Sequence, residues 1–187
     1  MKAVELAIPG VLRVEPKIFT DHRGYFLETY HSGHFADLGL QYTFVQDNLS
    51  FSVKNVLRGM HYQLGRPQAK LVMAVHGEIF DVAVDVRKGS PTFGKWVSTV
   101  LSSENRYQLF IPEGFAHGFC VLSDTATVSY KCTDLYAPGE ERGLRWNDPR
   151  MAVEWPISDP ILSEKDEKYP TIETIAPEDL PQFRGAR

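Results

Sequence analysis

The chain has 187 residues, 20 Lys and Arg against 24 Asp and Glu, and a formal net charge of −4 with His neutral. That length predicts one domain over residues 1–187, and 43% hydrophobic with 24% charged residues sets the chain apart from disordered sequences. The acidic balance argues against a nucleic-acid polymer as partner, although a few local Arg or Lys can still meet a small anion. The first ten residues carry one Lys and one Glu and no apolar run of signal-peptide length. No stretch approaches the roughly 20 apolar residues of a membrane-spanning helix. A cytoplasmic location is expected, with Cys120 and Cys132, which lack CxxC spacing, as two reduced thiols.

Taken in chain order, the first half predicts one short helix, near Ser32–Leu38. Val56–Gln63 then places Arg58 and His61 in a strand-like run. Strict alternation puts residues three apart on opposite faces, but Gly59 between them permits a bulge that realigns them. Lys70–Val75 is an apolar strand, and His76-Gly77 a turn. In Glu78–Val86, Phe80, Val82, Val84 and Val86 share one face, and Ile79, Asp81, Ala83 and Asp85 the other. Trp96–Leu101, Arg106–Ile111, Phe119–Leu122 and Ala126–Cys132 continue the series, separated by Gly, Pro, Ser and Asn. Short strands at this spacing predict an antiparallel sandwich, jelly roll or barrel. Seven of the twelve prolines follow Ala137. That tail is expected to be irregular and, since it holds Trp146 and Trp155, to wrap the β core.

Polar residues on these strands are the informative feature. Arg58, His61, Lys70 and Asp81 sit among apolar neighbours, and Tyr130 shares the inward parity of Ala126 and Val128. A β-barrel partly filled by such groups holds a polar ligand rather than a dry core. A His-x-His metal pair is broken here, because Tyr62 and Gln63 follow His61, and His117 alone remains as a later ligand. Three or four N/O ligands are the usual requirement, so no metal is expected. GxGxxG, phosphate-loop and GxSxG motifs are missing from the sequence, which disfavours dinucleotide hydride transfer and serine hydrolysis.

The order of motifs is more specific than any single residue. DHRGYFLETY (21–30), QDNLS (46–50), RGMHYQ (58–63), QAKLV (68–72) and EIFDVAVDVRKGSPTFGKW (78–96) follow one another. IPEGFAHGF (111–119), YKCTDLYAPGEE (130–141), WNDP (146–149) and LSEKD (162–166) complete the series. This series resembles the dTDP-4-dehydrorhamnose 3,5-epimerase family from about Ile18 to Pro170. The resemblance implies a mostly β, cupin-type jelly roll, no metal or other cofactor, and a homodimer. It implies a 4-keto-6-deoxy hexose on thymidine diphosphate as substrate, inverted at C3 and C5 through an enolate.

Carried over by motif, His61 would be the base, Asp166 its carboxylate partner, Tyr130 the acid on the far face and Lys70 the cation near the C4 oxygen. Arg58 would contact the diphosphate, and His117 would line the pocket. Gln46, Asn48, Glu141 and Lys165 would meet the substrate, and Tyr136 and Phe26 would be aromatic contacts. Arg23 and Glu28 would reach the nucleotide, from this chain or from a partner subunit; the alternative for both is a local salt bridge around Gly24. Asp81 would be either a partner of His61 or a barrel ion pair. Met73 stands where the family often carries Arg, with the parity of Leu71 and Val75 rather than that of Lys70. The rival functions are single-carbon epimerisation of a related 4-keto sugar, metal-dependent cupin chemistry, and non-catalytic sugar-nucleotide binding.

Overall fold

The structure is a computed structural model in which residues 1–185 are described. Thirteen strands and two short helices follow in chain order. They are β1 (Lys2–Glu5), β2 (Leu12–Glu15), β3 (Ile18–Asp21), β4 (Gly24–Leu27), α1 (Ser32–Asp37), β5 (Gln46–Val53), β6 (Leu57–Gln63) and β7 (Lys70–His76). Then come β8 (Glu78–Asp85), β9 (Trp96–Ser102), β10 (Gln108–Ile111), β11 (Phe115–Val121), β12 (Thr125–Cys132), β13 (Glu141–Gly143) and α2 (Glu164–Lys168). A six-stranded sheet, ordered β1-β2-β10-β7-β12-β5, faces a five-stranded sheet, ordered β13-β6-β11-β8-β9. Every strand pairing is antiparallel, and β3–β4 stands apart as a hairpin. The architecture is a cupin-type jelly roll.

Alternation explains how the layers close. Val72, Ala74, Ile79, Ala83, Val97, Leu101, Leu109, Ile111, Phe119 and Val128 converge between the two sheets as one cluster. The opposite face of β8, Val82 and Val84, is buried as well, under Met151, Ile172, Ile175 and Leu180 from the proline-rich tail. That second layer is why β8 reads as nearly continuous apolar sequence. Phe35 of α1 packs with Val14, Leu71 and Phe110 over the outside of the six-stranded sheet. Among the described residues no helix is long and apolar enough to cross a membrane.

Two expectations need correction, and one strand was not anticipated. The tail is not irregular throughout: it contains β13 and α2, the helix being started by the Ser163 hydroxyl, which accepts from the Asp166 N–H. The strand expected at Phe119 begins at Phe115, because Gly118 interrupts the apolar pattern without interrupting the ladder. The strand β5 was not visible from alternation, because its order is inverted. Its polar residues turn inward, while Leu49, Phe51 and Val53 are exposed.

Between β6 and β11 the register shifts: His117 pairs with His61, but Phe119 pairs with Arg58. The additional residue on β6 is a bulge, and it turns Arg58 and His61 to the same side. Only glycine fits at its centre. Gly59 has φ +126°, and a Cβ there would lie 2.5 Å from the Cα of Gly118 and 2.8 Å from the His117 carbonyl. Gly59→Ala is therefore expected to cost about 2 kcal/mol or more, read by urea unfolding. Wild-type stability in that variant would contradict the packing described.

Candidate active site

The sheets part at one end around a cavity of about 790 Å³. Eleven of the fourteen residues singled out from sequence line it: Gln46, Asn48, Arg58, His61, Lys70, His117, Tyr130, Tyr136, Glu141, Lys165 and Asp166. The structure brings them together from both layers. His61 and His117 come from β6 and β11, whereas Lys70, Tyr130, Gln46 and Asn48 come from β7, β12 and β5 of the opposing sheet.

Two His–carboxylate pairs stand in the five-stranded sheet's half, one half-buried and one buried. His61 Nε2 lies 2.5 Å from Asp166 Oδ1, across 105 residues of sequence, and the Asp166 side chain is only 4% exposed. Burial pushes the Asp166 carboxyl upward. The hydrogen bond and charge of His61, the Ser163 hydroxyl and the Gly59 N–H outweigh it, and the net shift is downward. The second pair is His117 Nε2 to Asp81 Oδ1, 2.6 Å. Asp81 is thus the partner of His117, not of His61 as one alternative had it. Its Oδ2 is buried without a hydrogen-bond partner.

Across the cavity the groups differ in kind. Burial pushes the Lys70 ammonium pKa down, against the raising effect of Cys132, Asp81 and Glu141. Burial, with Cys132 and Glu141, pushes the Tyr130 hydroxyl up, so it stays protonated at neutral pH despite Arg58 nearby. Arg58 donates from Nε to Ser52 Oγ at 3.0 Å and from Nη2 to the Phe51 carbonyl at 3.3 Å. A base held by a carboxylate on one wall and a protonated hydroxyl with cations on the other can move protons on both faces of a bound ring.

The mouth is tied by side chains. Glu141 accepts from Tyr136 Oη and from Lys165 Nζ, both at 2.7 Å. Burial raises the Glu141 carboxyl, yet these two bonds and the charges of His61 and Lys165 bring it below its ordinary value. Gln46 Oε1 accepts from the Tyr136 N–H, and Gln46 Nε2 donates to Asn48.

Arg23, Phe26 and Glu28 are not brought to the cavity within this chain. Arg23 forks onto Asp21 (Nη2–Oδ2 2.6 Å) across the Gly24 turn, the local salt bridge weighed above. Phe26 is 65% exposed beside Phe19, and Glu28 faces His34 at 3.3 Å. Sequence reasoning missed Ser50, Gln63 and Cys132, which also line the cavity. The signal for Ser50 was the run Gln46, Asn48, Ser50, Ser52: polar residues at period two, on a face that normally carries apolar ones. Met73 does not line the cavity; its sulfur receives a long contact, 3.7 Å, from Gln108 Nε2. Among the described residues, the grouping with metal-ligand spacing is Glu28, His31 and His34, exposed and outside the cavity.

The sequence profile described as dTDP-4-dehydrorhamnose 3,5-epimerase matches residues 5–174. A Neisseria gonorrhoeae protein of that name is 56% identical over 167 residues, covering 89% of this chain; the chain spans about half, 51%, of that relative's length. The dTDP-6-deoxy-D-glucose-3,5-epimerase of Legionella pneumophila, solved in complex with dTDP-4-keto-L-rhamnose, superposes with TM-score 0.95 at 46% identity. That match covers 98% of this chain and 99% of the other. A 3'-monoepimerase from Streptomyces bikiniensis, solved with dTDP-quinovose, superposes with TM-score 0.88 at 36% identity, covering 95% and 91%.

The lowered Asp166 carboxyl makes a pH prediction. A carboxyl whose folded pKa lies below its unfolded value, about 3.9, contributes stability above that value and loses it as pH falls through the folded pKa. Urea unfolding of wild type and Asp166→Asn is expected to differ at pH 7 and to converge below pH about 4. A gap that stays constant across that range would show that the carboxylate charge is not what the fold holds.

Proposed function

The chain belongs to the dTDP-4-dehydrorhamnose 3,5-epimerase family, and we propose that it inverts both C3 and C5 of a 4-keto-6-deoxy hexose carried on thymidine diphosphate. In this reading residues 1–187 act as one catalytic domain, in the formation of dTDP-4-keto-L-rhamnose. The observation that carries it is the His61–Asp166 pair, from β6 and α2, lining one cavity together with Tyr130 and Lys70 of the opposing sheet.

The chemistry follows from acidity. C3 and C5 are both α to the C4 ketone, so loss of either proton leaves an enolate whose charge rests on O4. His61 Nε2 is taken up by Asp166, which leaves Nδ1 to receive the carbon-bound proton. The imidazolium so formed is stabilised by the carboxylate beside it. Lys70 Nζ meets O4, and its lowered pKa makes its proton easier to share with the developing oxyanion. Tyr130 then gives its proton to the same carbon from the opposite face, inverting it, and the burial that raises its pKa keeps that proton available. Arg58 suits the diphosphate because its planar fork binds two oxygens at once. Gln46, Asn48, Tyr136, Glu141 and Lys165 frame the mouth where the nucleotide enters, and His117 borders the sugar.

A homodimer completes this reading. The exposed apolar row Leu49, Phe51 and Val53 lies on β5, the edge strand of the six-stranded sheet, and the β3–β4 hairpin exposes Phe19, Tyr25 and Phe26. Covering an unpaired edge removes an aggregation hazard. A partner's hairpin can also supply the Arg23, Phe26 and Glu28 contacts that one chain leaves empty. Sedimentation of Leu49→Glu and Phe51→Glu is expected to show monomer where wild type is dimeric. A monomeric wild type would overturn the dimer.

A second reading rests on the Streptomyces bikiniensis relative, whose name states inversion at one carbon. Turnover of the thymidine-linked 4-keto sugar in deuterated water separates the two. Deuterium at C3 and C5 is expected; label at C3 alone would favour the monoepimerase, and no exchange by folded protein would sink both. His61→Ala should reduce exchange by about 10²–10⁴-fold. Tyr130→Phe should slow inversion more than exchange.

A further inference from the structure

We propose that Tyr169 is a positioning residue for His61, holding the imidazole in place from the side away from the ligand cavity. The proposal rests on the reading of His61 as the base. Three observations carry it. Tyr169 meets the His61 ring edge-on, centroids 5.6 Å apart at 65°. Gly143 pairs directly with His61 across β13 and β6, so a side chain at 143 would stand beside the imidazole. That side chain is missing, and the Tyr169 ring fills its place: a Cβ on Gly143 would lie 2.5 Å from Tyr169 Cε2 and Cζ. Gly143 itself has no positive φ to explain it, so the glycine is required by the aromatic ring rather than by the backbone.

The position in the chain adds to the argument. Tyr169 is the C-cap of α2, the helix whose Asp166 holds His61 Nε2. The helix and its C-cap residue therefore fix the imidazole twice, through a hydrogen bond to one nitrogen and an aromatic ring against its side. A hydrogen bond alone leaves the ring free to swing about Nε2. A ring packed beside it removes that freedom, and a base held within a narrow range of angles spends more time aimed at the carbon-bound proton. Tyr169 does not line the cavity, so it acts on His61 and not on the sugar. Burial, with Glu141 and Asp166 nearby, raises its hydroxyl pKa, so it brings no charge to the pair.

The test compares Tyr169→Ala and Tyr169→Phe with wild type. Rates come from deuterium incorporation into the thymidine-linked 4-keto sugar. Heteronuclear NMR of ¹⁵N-histidine-labelled protein reports the His61 Nε2–H signal. Tyr169→Ala is expected to lose about tenfold or more in kcat, with KM unchanged and the Nε2–H signal broadened by exchange with water. Tyr169→Phe should keep the wild-type kcat and signal, because the ring and not the hydroxyl does the holding. Should Tyr169→Ala fail to fold, Tyr169→Leu, which keeps the volume without the flat ring, makes the same comparison. Wild-type kcat and spectrum in the ring-deleted variant would overturn the proposal. So would an equal loss in Tyr169→Phe, which would assign the effect to the hydroxyl. If wild type incorporates no deuterium, the functional reading fails, and the His61 signal alone decides whether Tyr169 holds the imidazole.

Discussion

Backbone meets backbone where β6 crosses β11, and the cavity's chemistry depends on that contact. Gly59 and Gly118 approach so closely that a Cβ on either would strike the other strand: 2.5 Å from Gly118 Cα in one direction, 2.8 Å from the Arg58 carbonyl in the other. The bulge that this approach allows brings Arg58 and His61 into one cavity. It also frees the Gly59 N–H to bond Asp166, one of the contacts that keeps that carboxylate ionised beside His61. One strand irregularity thus brings a guanidinium and an imidazole into one cavity and helps to keep the imidazole's carboxylate partner charged. Bulges collect near active sites because they re-aim side chains without unpicking the sheet.

Charge is arranged on the same principle of separation by position. The chain is net acidic, yet the cavity collects Arg58, Lys70 and Lys165 with two histidines. The two carboxylates that line it are spoken for: Asp166 by His61, and Glu141 by Lys165 and Tyr136. The donors left to meet a ligand are mostly cations and neutral amides. An anionic, oxygen-rich ligand is what such a lining accepts. Global charge excluded a polymer, but it says little about one nucleotide, because a single buried site answers to its own walls.

The residues on regular, alternating strands were legible. Tyr130 faces inward with Ala126 and Val128, as parity requires, and both faces of Glu78–Val86 fall as the pattern divides them. Arg58 and His61 were legible once Gly59 was read as a bulge. The strand β5 was not, because polarity inverts where one face lines a wet cavity and the other is left apolar and exposed. Asp166 came from motif order alone: no periodicity relates two residues 105 apart. Asp81 was read as a partner of His61 or a barrel ion pair; its actual partner, His117, was not legible, since pairing across β8 and β11 depends on register. Tyr169 gave no signal, because its meaning lies in what Gly143 lacks.

The tail supplies Asp166 through a helix that depends on its neighbours. A helix of five residues has too few hydrogen bonds to persist alone. Strand-like contacts hold α2 instead: Leu57 N–H to the Ile161 carbonyl at 3.0 Å and Ile161 N–H to the Asn55 carbonyl at 2.9 Å before it. Arg145 N–H to the Pro170 carbonyl at 2.8 Å follows it. Pro156, Pro160 and Pro170 fix φ along this path and so reduce the entropy lost when the segment docks. The docked segment closes over a sheet whose own core, Ile79, Ala83, Val97 and Leu101, does not require it. Undocking the tail would expose the outer face of β8 and remove the carboxylate from His61. The carboxylate beside the histidine is held by the least regular part of the chain, and ion pairs of Lys165 with Glu141 and of Arg142 with Asp179 tie that part to β13.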